Sequence, residues 1–360
     1  MTRSTQTPSH ADPEPVDPAA RQSLGRGAVV VVGGMNMDIT AVASQAAQLG
    51  DSTPGTVTTA SGGVGRNIAE NLARLGMAVE LVSAVGDDLQ GQQLLDACRR
   101  FGVGVQGVQV LAGQTSATYL SVHSTDGQLL HAVNDMAVLE QWKPQSWLGS
   151  SAWFQAAPLC LVDANLSPAA LVAVLQQCSA KMVFADAVSA AKCTRLLPHL
   201  PELHLLKVNR LEACALLSWP LSRLQSPADA HAAAQALVAA GVRNVVLSLG
   251  RAGAVWCSTD PSGDQSAGGN AGGNAGRNAG QREGFCPALV VPIKSTTGAG
   301  DALMAGLVWG LTQGWPLGRA LGWGMACAAL TLQDTAANNP RLSVQAVEQL
   351  LRQVPQAAAE

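Results

Sequence analysis

Ser295-Thr296-Thr297-Gly298-Ala299-Gly300-Asp301 leads without a break into the apolar run Ala302 to Leu311, so a turn made of small residues opens directly onto a helix. Leu303, Leu307 and Leu311 fall on one helical face, and Gly314 with Pro316 supplies the stop. Gly298, Ala299 and Gly300 carry little or no side chain, which lets their N–H groups close around a phosphoryl group. Asp301 sits in the first turn, where unpaired N–H groups and the macrodipole favour negative charge; this predicts an ionised carboxylate beside an anion site. Phosphoryl transfer to an alcohol needs that pairing, with the carboxylate taking the hydroxyl's proton. Taken alone, the same seven residues also describe a Gly-rich turn whose Asp caps a helix.

Working outward, the chain alternates short β-branched runs with helical periodicity, the pattern of an α/β fold with a mostly parallel sheet. Ala28 to Val32 reads as a buried strand opening at Gly33-Gly34 into a loop that carries Asn36 and Asp38. Ser61-Gly62-Gly63-Val64-Gly65-Arg66-Asn67 then opens a helix with Ile68, Leu72 and Leu75 as its apolar stripe, Glu70 and Arg74 able to pair at i,i+4 and Gly76 at its end. Val79 to Val82 is a strand, followed by Gly86-Asp87-Asp88 and a helix through Leu94, Leu95 and Cys98. Thr118 to His123 and Gln128 to Val133 flank Asp126-Gly127 as a hairpin. That hairpin reads as part of a small β lid, drawn from residues 36–60 and 112–136, with Asn134-Asp135 facing a ligand.

From Leu159 onward, Leu159 to Val162 ends in Asp163-Ala164-Asn165, Met182 to Phe184 in Ala185-Asp186, Leu203 to Val208 in Asn209 and Val245 to Leu249 in Gly250, each followed by helical periodicity. Polar groups therefore gather along one sheet edge, where open α/β sheets bind ligands. Asn209 and Glu212 stand one turn apart, able to hold water around Mg²⁺, although the four residues Asn209 to Glu212 by themselves are better read as a capping box. Ala254 to Cys257 and Phe285 to Val291 read as edge strands around the Gly-Asn-Ala-Gly-rich loop 258–284. Leu317 to Gln333 and Val344 to Val354 read as two covering helices.

Composition narrows the partners. Charged residues make up 13% and the net charge is -3, which leaves no basic surplus for nucleic acid and points to a small molecule. No apolar stretch predicts a membrane span, and residues 1–27 read as a disordered tail ahead of one large domain over 28–355. The eight cysteines show no Cys-x-x-Cys pair, as buried thiols of a reducing, cytoplasmic setting would. Gly63-x-Gly65 lacks the third Gly of a dinucleotide fingerprint, and no Gly-x-x-x-x-Gly-Lys-Ser/Thr occurs, which argues against a nicotinamide enzyme and a P-loop.

Gly62-Gly63 with Asn67, Asn209-x-x-Glu212 and Thr297-Gly298-Ala299-Gly300-Asp301, in that order, resemble the ribokinase-like (PfkB) sugar kinases over roughly residues 28–355. The resemblance implies a three-layer α/β/α domain with a β lid, ATP as donor, Mg²⁺ as charge partner and a sugar hydroxymethyl as acceptor. It displaces the simple capping reading at Asn209 and Glu212. It assigns Asp301 as general base, Gly298, Ala299 and Gly300 as anion hole, and Asn209 and Glu212 as organisers of Mg²⁺ and phosphate. It places Asp38 on sugar hydroxyls beside Gly62, Gly63 and Asn67, and sets Ser248, Gly250 and Gly253 opposite Thr296 and Thr297 around the nucleotide. Ser295 stands where many members have an Asp that helps bind a monovalent cation, which puts potassium activation in question.

Within the family, residues 62–76, Ala132-Val133-Asn134-Asp135-Met136 and Val162-Asp163-Ala164-Asn165-Leu166-Ser167 are most similar to pseudouridine kinases. That similarity implies 5′-phosphorylation of pseudouridine, with Asn36, Thr118, Asn134, Asp163 and Asn165 joining Asp38 and Asn67 around the nucleoside. Ribose, adenosine or a ketose is the nearest alternative acceptor, a non-catalytic nucleoside-binding regulator is the alternative of another class, and pairing of two lids is the expected mode of any homodimer.

Overall fold

The computed structural model describes residues 28–46, 50–144, 148–259 and 282–353. The tail 1–27 and residues 260–281 of the low-complexity loop, both read above from composition, lie outside the described residues. In chain order the strands are β1 (Val29–Val32), β2 (Asn36–Ala43), β3 (Gly55–Gly62), β4 (Val79–Gly86), β5 (Gly104–Leu111), β6 (Thr118–His123) and β7 (Leu129–Asp135). They continue with β8 (Leu159–Asp163), β9 (Met182–Asp186), β10 (Leu205–Asn209), β11 (Asn244–Ser248), β12 (Ala254–Ser258) and β13 (Arg282–Cys286). The helices are α1 (Val64–Arg74), α2 (Leu89–Arg100), α3 (Ala137–Gln141), α4 (Ala152–Ala156), α5 (Pro168–Gln177), α6 (Arg210–Leu217), α7 (Pro227–Ala239), α8 (Ala299–Thr312), α9 (Leu317–Leu332) and α10 (Val344–Gln353).

Strand β1 is four consecutive buried valines. A strand covered on both faces sends alternate side chains into different cores. Val29 and Val31 join Ile68, Leu72, Leu303 and Leu307, so α1, α2, α8 and α9 cover one face. Val30 and Val32 join Leu171, Val174 and Ala233, so α5, α6 and α7 cover the other. The sheet they share has nine strands in the order β13-β12-β11-β10-β9-β8-β1-β4-β5. Every pair from β5 to β11 is parallel, and only the edge pairs β11–β12 and β12–β13 are antiparallel. The chain builds outward from β1 through β4 and β5, then returns to lay β8 on the other side. Strand order thus reverses beside β1, and the crevice that holds ligands in such sheets opens at its carboxyl end.

A second sheet of order β3-β2-β6-β7 forms the β lid. Asn36 and Asp38, expected in a loop after β1, are alternate residues of β2 and share one face of that lid. Strand β5 was not foreseen, because two glycines and two glutamines break its apolar pattern. The helix expected after β9 is a 3₁₀ segment, Cys193–Glu202, in which Pro198 and Pro201 each lack the N–H that an α-helix needs. The edge strand expected over Phe285 to Val291 stops at Cys286, where Pro287 can donate nothing to a ladder. All eight cysteines are free thiols, seven of them buried. Among the described residues no helix is long and apolar enough to cross a membrane.

Candidate active site

Gly298 caps α8 in the left-handed region at φ 76°, and a Cβ there would lie 1.9 Å from the Ala337 carbonyl oxygen. Only glycine meets both conditions, so the turn that aims the Ala299 and Gly300 backbone is specified by one residue. Asp301 is the third residue of α8, is 9% exposed and accepts a hydrogen bond at Oδ2 from Asn67 Nδ2 at 2.8 Å. The ionised state expected from the helix terminus alone is opposed by burial. Desolvation, with a smaller push from Asp186, raises the Asp301 carboxyl to about 7 against the pull of Lys207 and of the Asn67 hydrogen bond. A base with a pKa near the working pH is well matched to accepting a hydroxyl proton.

The cation beside this carboxylate is Lys207, which sequence reasoning missed. It lies within the apolar strand β10, 6% exposed, and donates to Asp186 Oδ2 at 2.8 Å. A Cβ on Gly300 would stand 3.0 Å from its ammonium, so the positive charge borders the turn expected to hold an anion. Burial works to lower the Lys207 pKa, but Asp186, Glu212 and Asp301 outweigh it and leave it above the ordinary lysine value. The available signal was a lone lysine inside Leu205-Leu206-Lys207-Val208, a run otherwise fit only for a core.

Asn209 and Glu212 form the capping box at the start of α6. Glu212 Oε2 accepts from the Asn209 N–H at 2.8 Å and Oε1 from its Nδ2 at 2.6 Å, while Asn209 Oδ1 accepts from the Glu212 N–H at 3.0 Å. Each carboxylate oxygen keeps a lone pair, and burial raises the Glu212 pKa despite nearby Lys207. Among the described residues no three His, Cys, Asp or Glu side chains converge as a metal cage.

At the reversal point Asp163 is fully buried and ties the crevice together. Its Oδ2 accepts from the N–H groups of Gly34 at 2.9 Å and Gly65 at 2.8 Å, and its Oδ1 from the Asn165 N–H at 2.9 Å. Asp163 therefore fixes two glycine-rich turns from within. Asn165 turns its amide NH2 toward Asp163 and accepts from Lys192 Nζ at 2.6 Å. Burial lowers the Lys192 pKa, and Arg195 clasps the same turn through the Asn165 and Leu166 carbonyls. Neither cation was singled out from sequence, since Lys192 directly precedes and Arg195 lies within the 3₁₀ segment read as an ordinary helix.

On the lid side, Asn36 Nδ2 donates to Asp38 Oδ1 at 2.6 Å. Burial raises the Asp38 pKa against that bond and the charge of Arg66. Gly62 pairs with Asn36 across the β2 and β3 ladder, and a Cβ on it would meet Asp38 Oδ2 at 2.2 Å. Gly62→Ala is expected to swing Asp38 aside and raise the KM for the acceptor substrate about tenfold or more with a smaller change in kcat; equal KM values in the two proteins would contradict this. Gly63 caps α1 next to Asn67. Thr118 gives its hydroxyl to Gln90 at 2.9 Å, and Asn134 lies exposed on β7 opposite Tyr119. These two stand on the lid sheet.

On the far side, Ser248 ends β11 and donates to the Val208 carbonyl at 3.3 Å. Gly250 begins the following turn and Gly253 closes it against the Cys286 carbonyl. Thr296 and Thr297 precede α8, with the Ser295 hydroxyl accepting from the Thr297 N–H at 3.2 Å. The structure thus brings a buried carboxylate, a buried ammonium and a glycine turn together at the head of α8.

Residues 27–344 match the pfkB family carbohydrate kinases, and the chain belongs to that family, a class of ATP-dependent phosphotransferases. It is 33% identical over 316 residues to the pseudouridine kinase of Escherichia coli (strain K12), covering 88% of this chain and 94% of that one. It is 36% identical over 317 residues to the uncharacterized sugar kinase YeiI of the same organism, covering 87% and 80%. In three dimensions it is similar to the Arabidopsis thaliana ribokinase complexed with ribose and ATP, with a TM-score of 0.75 at 20% identity over 91% of this chain and 99% of that one.

Proposed function

We propose that this protein transfers the γ-phosphoryl group of ATP to the 5′-hydroxyl of pseudouridine. The observation that carries the reading is the Asp301 carboxylate, one oxygen held by Asn67, at the head of a helix whose first turn borders the Lys207 ammonium. The acceptor hydroxyl gives its proton to Asp301 while the Gly298 and Gly300 amides and Lys207 meet charge on the transferring group, joined by the Ala299 N–H once it leaves the Thr296 carbonyl to which it donates at 3.4 Å. Asn209 and Glu212 fit a water-mediated hold on Mg²⁺, since Glu212 presents a buried carboxylate with free lone pairs and no protein cage competes among the described residues. When bound, the metal would supply charge neutralisation for the phosphates. Thr296, Thr297, Ser248, Gly250 and Gly253 would flank the nucleotide, and exposed Val290 and Ile293 offer apolar surface for its base.

The likeness to the pseudouridine kinase named above supports a C-nucleoside as acceptor. Asp38 and Asn67 suit ribose hydroxyls, and Asn36, Asn134 and Asn165 offer amides for a uracil edge. Lys192, half-buried beside Asn165, adds a cation at that end. The likeness to a sugar kinase of higher identity favours a free sugar as the second reading. Exposed Val57, Leu129 and Val133 on the lid support pairing of two copies through that sheet. Measuring ADP release with Mg²⁺-ATP and pseudouridine, uridine, adenosine, ribose and fructose separates the readings. Pseudouridine is expected to give the highest kcat/KM; preference for a free sugar, or binding without ADP release, would overturn the assignment.

A further inference from the structure

We propose that Arg66, braced by Asn338, is a positioning residue that sets the amide of Asn67 so that its NH2 group, and not its oxygen, faces Asp301. The argument begins with donor arithmetic. A guanidinium can only donate, and Arg66 presents one nitrogen to both Asn67 Oδ1 and Asn338 Oδ1, the latter at 2.6 Å. The atom of Asn67 facing Arg66 is therefore oxygen, and the other end of that amide must be the NH2 that donates to Asp301 Oδ2 at 2.8 Å. Asn338 is oriented by the same logic, since its own NH2 donates to the Asn67 carbonyl at 2.9 Å. The backbone and side chain of Asn67 are thus both gripped.

Arg66 is 3% exposed and its Nε has no hydrogen-bond partner, an expensive way to fill space on α1. Glu70 balances its charge at 2.7 Å and shares its second oxygen with Arg74, which in turn holds the Pro340 carbonyl. The segment around Asn338 also carries Ala337, whose carbonyl oxygen occupies the space a Cβ on Gly298 would need. One buried cation therefore links the α1 start, the loop after α9 and the base of the anion turn. An amide turned the other way would aim a carbonyl dipole at a carboxylate, which disfavours the ionised base.

The inference rests on Asp301 acting as proton acceptor, and the test separates the two claims. The charged neighbours of Asp301 are Asp186 from β9, Lys207 from β10 and Asp163 from β8; those of Arg66 are Glu70 and Arg74 on α1 and Asp38 on β2. The Asp301 titration is read by carbon NMR of its carboxyl group in the ligand-free protein, identified by its loss in Asp301→Asn. Arg66→Met and Asn338→Ala are expected to move that titration upward by about half a pH unit or more, and to shift the acid limb of kcat/KM for pseudouridine with it. Arg66→Lys, which keeps the charge and loses the fork, should fall between. Should Arg66→Met fold poorly, Arg66→Met/Glu70→Gln removes the stranded carboxylate and gives the same readout. An unmoved Asp301 titration in these variants, with lowered thermal stability alone, would overturn the positioning role. Turnover retained by Asp301→Asn would instead overturn the proton-acceptor reading and leave the titration result standing.

Discussion

Asp301→Asn should cut kcat by at least about 10²-fold, the usual cost of losing a general base, while making the folded protein more stable at pH 8. The two effects share one cause. The carboxyl of Asp301 is buried, and its pKa stands near 7 against an ordinary 3.8. An acid raised on folding binds its proton more tightly in the native state, so its contribution to stability is intact below the ordinary value. That contribution is lost as pH rises through about 7, where the buried group must ionise. Asparagine keeps the shape without the charge. Its stabilising effect should be on the order of a few kcal/mol at pH 8 and vanish by pH 4, as urea midpoints at the two values would measure. Equal midpoints for the two proteins at pH 8 would mean that this carboxylate is not strained by burial.

Lys207→Met should produce the second large loss, roughly 10²- to 10³-fold in kcat/KM, together with about 3–5 kcal/mol of stability. The stability term arises because Asp186, 1% exposed, would keep its carboxylate without the ammonium now 2.8 Å away. The catalytic term arises because the positive charge beside Gly300 would vanish, and Asp301 would lose the cation that pulls its pKa down. Asp186→Asn/Lys207→Met distinguishes the two, since removing both charges should recover most of the stability and none of the turnover. Recovery of turnover in the double variant would show that Lys207 serves only to hold Asp186.

Much of this was legible in the chain because its signals are local. Ala28 to Val32 reads as a two-face buried strand, and Gly298 to Asp301 reads as a turn entering a helix; the structure shows β1 and the head of α8 there. The Asn209 to Glu212 capping box is also a matter of four residues, and it is present although the family resemblance had displaced that reading. What escaped depends on contacts between distant segments. Lys207 matters because β9 brings Asp186 beside it and α8 brings Gly300 above it. Asp163 is a hub for Gly34 and Gly65, which no spacing along the chain reveals. The shift of Asp301 away from an ionised resting state also follows from burial, a property of the assembled layers, and it outweighs the helix terminus that sequence alone displays.

The most direct test is the pH dependence of kcat/KM for ADP release with pseudouridine as acceptor. Because the free enzyme's base must be ionised to act, the rate should fall about tenfold for each pH unit below about 7, the value set by burial of Asp301. A profile level down to pH 5 would contradict the assignment of that buried carboxylate as the group that takes the hydroxyl proton.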